Sequence, residues 1–294
     1  MIVVQKNDNR MTPLVQSRWL ALGAIVLWAT LATLGVRLSH LPPFWLTGMA
    51  LLVGSLVSLP LARFNLSLWR VPLRTLALGI YGLFGFHFLL FIALRHAPPV
   101  QANLVNYLWP LGMVVLAPVF LPSVSFSLRQ LLAALVGFAG AALAILSHPA
   151  QAAIGSTGLA WGYLPALGSA MVWCTYSLMT QRAAPFATSA IGGFALVSGL
   201  LSLMCHALME PTVQVSSQDW MWLILMGLGP LGTAFFLWDA ALKRGDARQI
   251  GLMSFLTPLL STLLLLWDSG QTLSLSIGLA AVLIVGASWV GRAR

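Results

Sequence analysis

Charge is what this chain has least of. Only 7% of its 294 residues are charged and six are acidic, whereas about a quarter of the residues in an ordinary soluble domain carry charge. That scarcity excludes a water-soluble globular fold, and a hydrophobic content of 59% makes lipid the solvent. Acids are rarest where they would matter most. Asp239 is the one carboxylate inside an apolar run, near its end, so the sequence offers no mid-membrane proton relay or counter-charge for a cation. Four residues on stands Lys243, and an i,i+4 ion pair accounts for Asp239; a coupling-ion site is the other reading. There are two cysteines, Cys174 in mid-run and Cys205 near the end of another run. Their depths differ, which argues against a disulfide and for small packing residues. No pair among the five histidines has zinc-ligand spacing. With no nucleophile motif, no metal set and no cofactor motif, the chain has little to support an enzyme.

What is present in abundance is apolar sequence. A membrane helix needs about 20 apolar residues, and ten stretches qualify: 19–37, 43–62, 73–94, 99–121, 128–147, 159–181, 187–209, 219–242, 247–267 and 274–291. The expectation is an all-α polytopic membrane protein with no extramembrane domain. The first apolar run is long enough to span and lacks a small-residue cleavage site, so it reads as a retained helix and not a signal peptide.

The formal charge of +9 raises the question of nucleic acid, and the placement of the basic residues answers it. Counting spans from an inside N-terminus puts Lys6, Arg10, Arg18, Arg63, Arg70, Arg74, Arg129, Arg182, Lys243, Arg244, Arg248, Arg292 and Arg294 on one side. Only Arg37 and Arg95 fall on the other. By the positive-inside rule both termini are cytoplasmic. No basic stripe suited to nucleic acid exists.

The chain also repeats itself. Leu22–Arg37 recurs as Leu167–Arg182 at an offset of 145, and Leu83–Leu111 recurs as Leu231–Leu259 at an offset of 148. Five spans per copy invert the second copy, and Arg37 and Arg95 accordingly fall outside while their counterparts Arg182 and Lys243 fall inside. Inverted repeats are how many secondary transporters place a substrate site between two halves near mid-bilayer. The expected division is a cytoplasmic tail (1–18), a first repeat (19–147), an external linker (148–158), a second repeat (159–291) and a short tail (292–294). Small residues such as Gly79, Gly82, Gly232, Gly140, Gly278 and Gly286 are spaced for close helix contact.

Within that frame the candidate site residues are the polar, aromatic and helix-breaking ones at mid-depth. Pro110 and Pro258 are repeat counterparts; an interior proline removes a backbone hydrogen bond and bends its helix, and paired breaks point to a binding region. Asn103, Asn106, Tyr107 and Pro110 share a stripe by their three- and four-residue spacing, with Ser254 and Phe255 as the counterparts of Asn106 and Tyr107. Trp28 and Trp173 are counterparts too, and lie away from the headgroup depth that Trp19, Trp45 and Trp267 occupy. Trp109 and Tyr176 join that set. His87 is the one histidine deep in a span, a functional candidate by its depth. Each also admits a structural reading: rings filling a bundle core, a plain kink, a hydrogen-bonded histidine.

Ten spans in a five-plus-five inverted repeat, with a Trp in the first helix of each half and a Pro in the fourth, resemble the drug/metabolite transporter superfamily, in particular its EamA-type exporters. The stretch NLVNYLWPLGMV at Asn103–Val114, with His87 upstream, resembles the aromatic amino acid exporters of that group. The resemblance implies export of aromatic and other neutral amino acids from a bacterial cytoplasm across the inner membrane, with His87, Tyr107, Trp109 and Trp173 lining a central cavity. It implies a small-molecule substrate and the lipid bilayer as partners and no nucleic acid, and assigns no oligomeric state or energy source. A sugar-phosphate transporter would need mid-membrane cations, and a small multidrug exporter would need a carboxylate where Trp28 stands. The alternatives left open are an exporter of other metabolites or amphipathic drugs with the same fold, and a membrane enzyme or receptor using His87 and Asp239.

Overall fold

The computed structural model describes residues 12–147, 161–270 and 274–291, and every regular element among them is helical. Eight helices are long and apolar enough to cross a membrane: α1 (Pro13–Arg37), α2 (Pro43–Leu61), α3 (Leu73–His96), α4 (Pro99–Phe120), α5 (Leu128–Leu146), α7 (Thr188–Met209), α8 (Ser217–Leu242) and α9 (Ala247–Asp268). Two more long helices are present among the described residues, α6 (Tyr163–Thr180) and the shorter α10 (Leu275–Val290). The expected linker 148–158, His148 and the terminal basic residues Lys6, Arg10, Arg292 and Arg294 lie outside the described residues.

Local chemistry sets the helix ends. Thr12 accepts from the Val15 amide and Pro13 occupies the first turn of α1, where its missing N–H costs nothing. Ser127, Asp246 and Ser274 cap α5, α9 and α10 in the same way. Ser216 and Asp219 form a reciprocal capping box at the start of α8.

Six helices are interrupted, and the interruptions of four of them come in matched pairs. One π-turn spans Tyr81–Gly85 in α3 and another spans Gly229–Thr233 in α8, the same positions 148 residues apart. In α4 the helix stops at Asn106 and restarts at Trp109; in α9 it stops at Met253 and restarts at Leu256. The breaks therefore fall at Tyr107–Leu108 and Ser254–Phe255, one turn before Pro110 and Pro258 and not at them. The reason is steric and electronic: a proline ring disturbs the carbonyl four residues earlier and cannot donate to it. Two further interruptions are unpaired: the one in α2 again stands three residues before a proline, Pro60, whereas the one in α1 has no proline at that spacing. Thr30 breaks α1, its hydroxyl bonding the Leu27 carbonyl at 2.7 Å, and Val57 breaks α2.

Packing follows the same pairing. α1 lies against α8 and α9, while α6 lies against α3 and α4; α2 packs on α7 and α5 on α10. Glycine permits the tightest approaches. A Cβ on Gly54 would stand 2.5 Å from the Leu231 carbonyl oxygen, and one on Gly79 or Gly82 would enter the ring of Phe194 or Tyr176. Gly140 faces Ile284 and the Ala280 carbonyl, but Gly278 and Gly286 meet nothing within 4 Å. The packing role expected for those two is absent, because the contact face of α10 is carried by Ile277, Ala280, Ile284 and Ala287.

Polar contacts sort the helix ends into two groups. At one end Arg37 pairs with Asp268 at 2.6 Å, and Arg95 with Glu210 at 2.7 Å. At the other, the Ser17 hydroxyl donates to the Ala241 carbonyl, Gln181 reaches the Leu242 and Gly245 carbonyls, and Arg182 reaches that of Phe120.

Candidate functional site

A cavity of about 460 Å³ opens among α1, α2, α3, α4, α6, α8 and α9. Its walls are built by the interruptions just described. The break in α4 brings Asn103, Asn106, Tyr107 and Trp109 to the lining, and the break in α9 brings Thr257 and Ser261. The π-turns position two more groups. A π-turn takes carbonyls out of the regular i→i−4 ladder, and in each half a cavity side chain takes one. Trp28 Nε1 donates to the Pro230 carbonyl at 3.1 Å. His87 Nδ1 lies 2.6 Å from the Leu83 carbonyl. A carbonyl only accepts, so Nδ1 carries the proton, and the neutral ring keeps Nε2 as the acceptor it can offer the cavity.

One end of the cavity is a pavement of rings. Trp28 meets Trp173 edge to face with centroids 5.6 Å apart and Trp238 at 5.0 Å. Trp109 stands against Trp238 at 5.6 Å, and Phe235 against Trp173 at 5.7 Å. Beneath these, Trp238 is 1% exposed and donates its indole N–H to Ser177 at 3.1 Å. Such tilted and edge-on contacts each contribute on the order of 1 kcal/mol beyond area burial, so the floor is stiff. Among the described residues, no lysine, arginine, aspartate or glutamate lines the cavity. What it offers is therefore aromatic surface with a few neutral hydrogen-bonding groups.

Of the residues expected at the site, Trp28, His87, Asn103, Asn106, Tyr107, Trp109 and Trp173 line the cavity. Tyr176, Ser254 and Phe255 do not. Tyr176 is turned away beside Trp173, filling the space that Gly82 leaves. Ser254 bonds back to the Ile250 carbonyl at 2.9 Å, and Phe255 is wholly buried against Gly137. They share a helix break with the lining residues but point to its far side. Pro110 and Pro258 cause the breaks without reaching the lining. Asp239 forms the anticipated pair with Lys243 at 2.6 Å and also accepts from Thr188 at 2.7 Å.

Several lining residues went unanticipated: Thr47, Phe86, Phe91, Phe235, Thr257 and Ser261. Two of them were within reach. Phe235 is the counterpart of His87, and Thr257 that of Trp109, at the offset of 148. Extending the repeat through every candidate would have named both.

Comparison with known proteins agrees with this architecture. The EamA-like transporter family matches residues 17–146 and again 160–290. A protein named aromatic amino acid exporter YddG from Ancylobacter novellus is 40% identical over 91% of this chain and 93% of its own length. One of the same name from Salmonella typhimurium is 25% identical over 94% of this chain and 97% of its own length. A solved crystal structure superposes with a TM-score of 0.86 at 36% identity, covering 95% of this chain and 98% of that one. A bundle of apolar helices interrupted around a charge-free aromatic cavity, matched twice by one family, makes this chain a member of the EamA-like transporter family, a multi-pass membrane transporter.

Proposed function

We propose that the protein exports aromatic and other neutral amino acids, or closely related small metabolites, from a bacterial cytoplasm across the inner membrane by alternating access. The observation that carries this reading is the cavity: tryptophan and phenylalanine rings beside neutral hydrogen-bonding groups, with no formal charge among them. A net-neutral zwitterion with an aromatic side chain suits such walls, since it needs no counter-charge and gains from ring contacts. The 40% identity to a protein named for aromatic amino acid export supports the substrate class. The same walls suit neutral amphipathic compounds, which is the second reading.

In this reading all ten helices span, five in each inverted half (19–147 and 159–291), and both termini are cytoplasmic. The matched π-turns and helix breaks support it, as does the exchange of partners by which α1 packs on α8 and α9 while α6 packs on α3 and α4. The cavity then opens outward, above a floor closed toward the cytoplasm by Trp238 and the Ser17–Ala241 contact. Rocking of the halves about the broken fourth and ninth helices would reverse this.

The test is flux of radiolabelled Phe, Trp, Thr and Met into proteoliposomes holding the purified protein, with and without a pH gradient. Saturable aromatic flux that Trp109→Ala weakens is the expected result. No amino acid flux above empty liposomes would overturn the substrate assignment and turn the search to other metabolites.

A further inference from the structure

Seven buried side-chain nitrogen or oxygen atoms of the described residues have no hydrogen-bond partner, and of the residues carrying them Thr257 alone lines the cavity. The residue is nearly wholly enclosed, at 6% exposure. Burying a hydroxyl without a partner is unfavourable, and native proteins keep such groups where something else completes them. Thr257 lies in the first turn after the break in α9, and Ser261, four residues on and so on the same face, also lines the cavity. The counterpart of Thr257 in the other half is Trp109. At matching positions, then, one broken helix carries an indole and the other a hydroxyl without a partner. The two walls differ in the way the two ends of an aromatic amino acid differ.

We propose that Thr257, assisted by Ser261, is the carboxylate subsite of this cavity, which sets the orientation of the substrate and selects α-amino acids over other aromatic compounds. The inference rests on the amino acid export reading. A hydroxyl donates to a carboxylate, and the acceptor Nε2 of His87 suits the ammonium group, so both charges of the zwitterion meet neutral partners of the right polarity. The rings of Trp109 and Trp173 are left for the side chain.

The experiment measures Trp flux in proteoliposomes for the wild type, Thr257→Val and Thr257→Ser, with inhibition by indole-3-propionate, which lacks the ammonium group, and by tryptamine, which lacks the carboxylate. Valine keeps the shape and removes the hydroxyl; serine restores it. The expected result is a KM for Trp raised about tenfold in Thr257→Val, the size of one lost hydrogen bond to a charged group. Indole-3-propionate inhibition should weaken by the same factor and that by tryptamine should not change, with Thr257→Ser within about twofold of wild type and neither variant melting below wild type. Wild-type KM in Thr257→Val, or equal weakening of both inhibitors, overturns the assignment while leaving amino acid export intact. Absence of saturable wild-type Trp flux overturns both.

Discussion

Trp28 and Trp173, counterparts 145 residues apart in the repeat, touch each other edge to face with ring centroids 5.6 Å apart. His87 and Phe235, counterparts at 148, meet as well, with centroids 6.3 Å apart. The cavity floor is thus where the two halves see each other's equivalent residues. Under the proposed alternating access, a small relative rotation of the halves would repack these rings first.

Trp28 tests that link. Trp28→Phe keeps a ring but leaves the Pro230 carbonyl of the α8 π-turn without its 3.1 Å donor. An unsatisfied buried carbonyl costs about 1–3 kcal/mol. The expected outcome is a lowered melting temperature in detergent together with reduced flux; an unchanged melting curve would show that the indole donor does not hold the π-turn.

Glu210 ties three helices at the Arg95 end. Its carboxylate, 1% exposed, accepts from Arg95 at 2.7 Å and from the Phe44 and Trp45 amides that open α2, and lies 3.0 Å from His206 Nδ1. Arg95 is about a third exposed and can rehydrate, so removing the carboxylate strands no buried charge; what is lost is its set of charge-assisted hydrogen bonds to buried partners, about 1–3 kcal/mol. Glu210→Gln should therefore destabilise, whereas Arg95→Met, which leaves the bonds to the two amides in place, should cost less. Thermal unfolding of the two variants decides it.

Asp239 and Lys243 form the corresponding cluster at the opposite end, where Lys243 also bonds the Phe186 carbonyl and lies 3.7 Å from that ring's centroid. Asp239→Asn and Lys243→Met should each destabilise, and the double variant should lose less than the sum, a coupling of about 0.5–3 kcal/mol. Strict additivity in a double-mutant cycle would mean that the pair contributes nothing.

Glycine supplies a contrast within one protein. Gly54→Ala puts a methyl 2.5 Å from the Leu231 carbonyl oxygen and 2.9 Å from the Gly232 Cα, which forces α2 away from α8 at a cost of about 1–3 kcal/mol. Gly286→Ala meets nothing within 4 Å and should not lower the melting temperature. Melting curves for the two variants, measured side by side, check both statements.

Much of the architecture was legible in the sequence because its causes are local or periodic. Scarcity of charge dictates lipid, runs of about 20 apolar residues dictate helices, and the recurrence of Leu22–Arg37 at Leu167–Arg182 pairs the halves. The need for breaks in the fourth and ninth helices was carried by Pro110 and Pro258, and the Asp239–Lys243 pair by helix geometry alone. Which side of each break faces the cavity was not. Trp109 turns inward while Phe255 turns outward into Gly137, and neither follows from spacing, because both faces of a helix buried in a bundle are apolar. The π-turns could not be read either: an i→i+5 turn is chosen by what captures the displaced carbonyl, here Trp28 in one case and His87 in the other, and Trp28 comes from the other half of the chain. Thr257 itself could be reached through the repeat, but not the state of its hydroxyl, which lacks a partner only because the assembled walls enclose it. Composition and repetition thus determined the solvent, the helices and their pairing, whereas the lining and its polarity were decided by contacts between residues far apart in sequence.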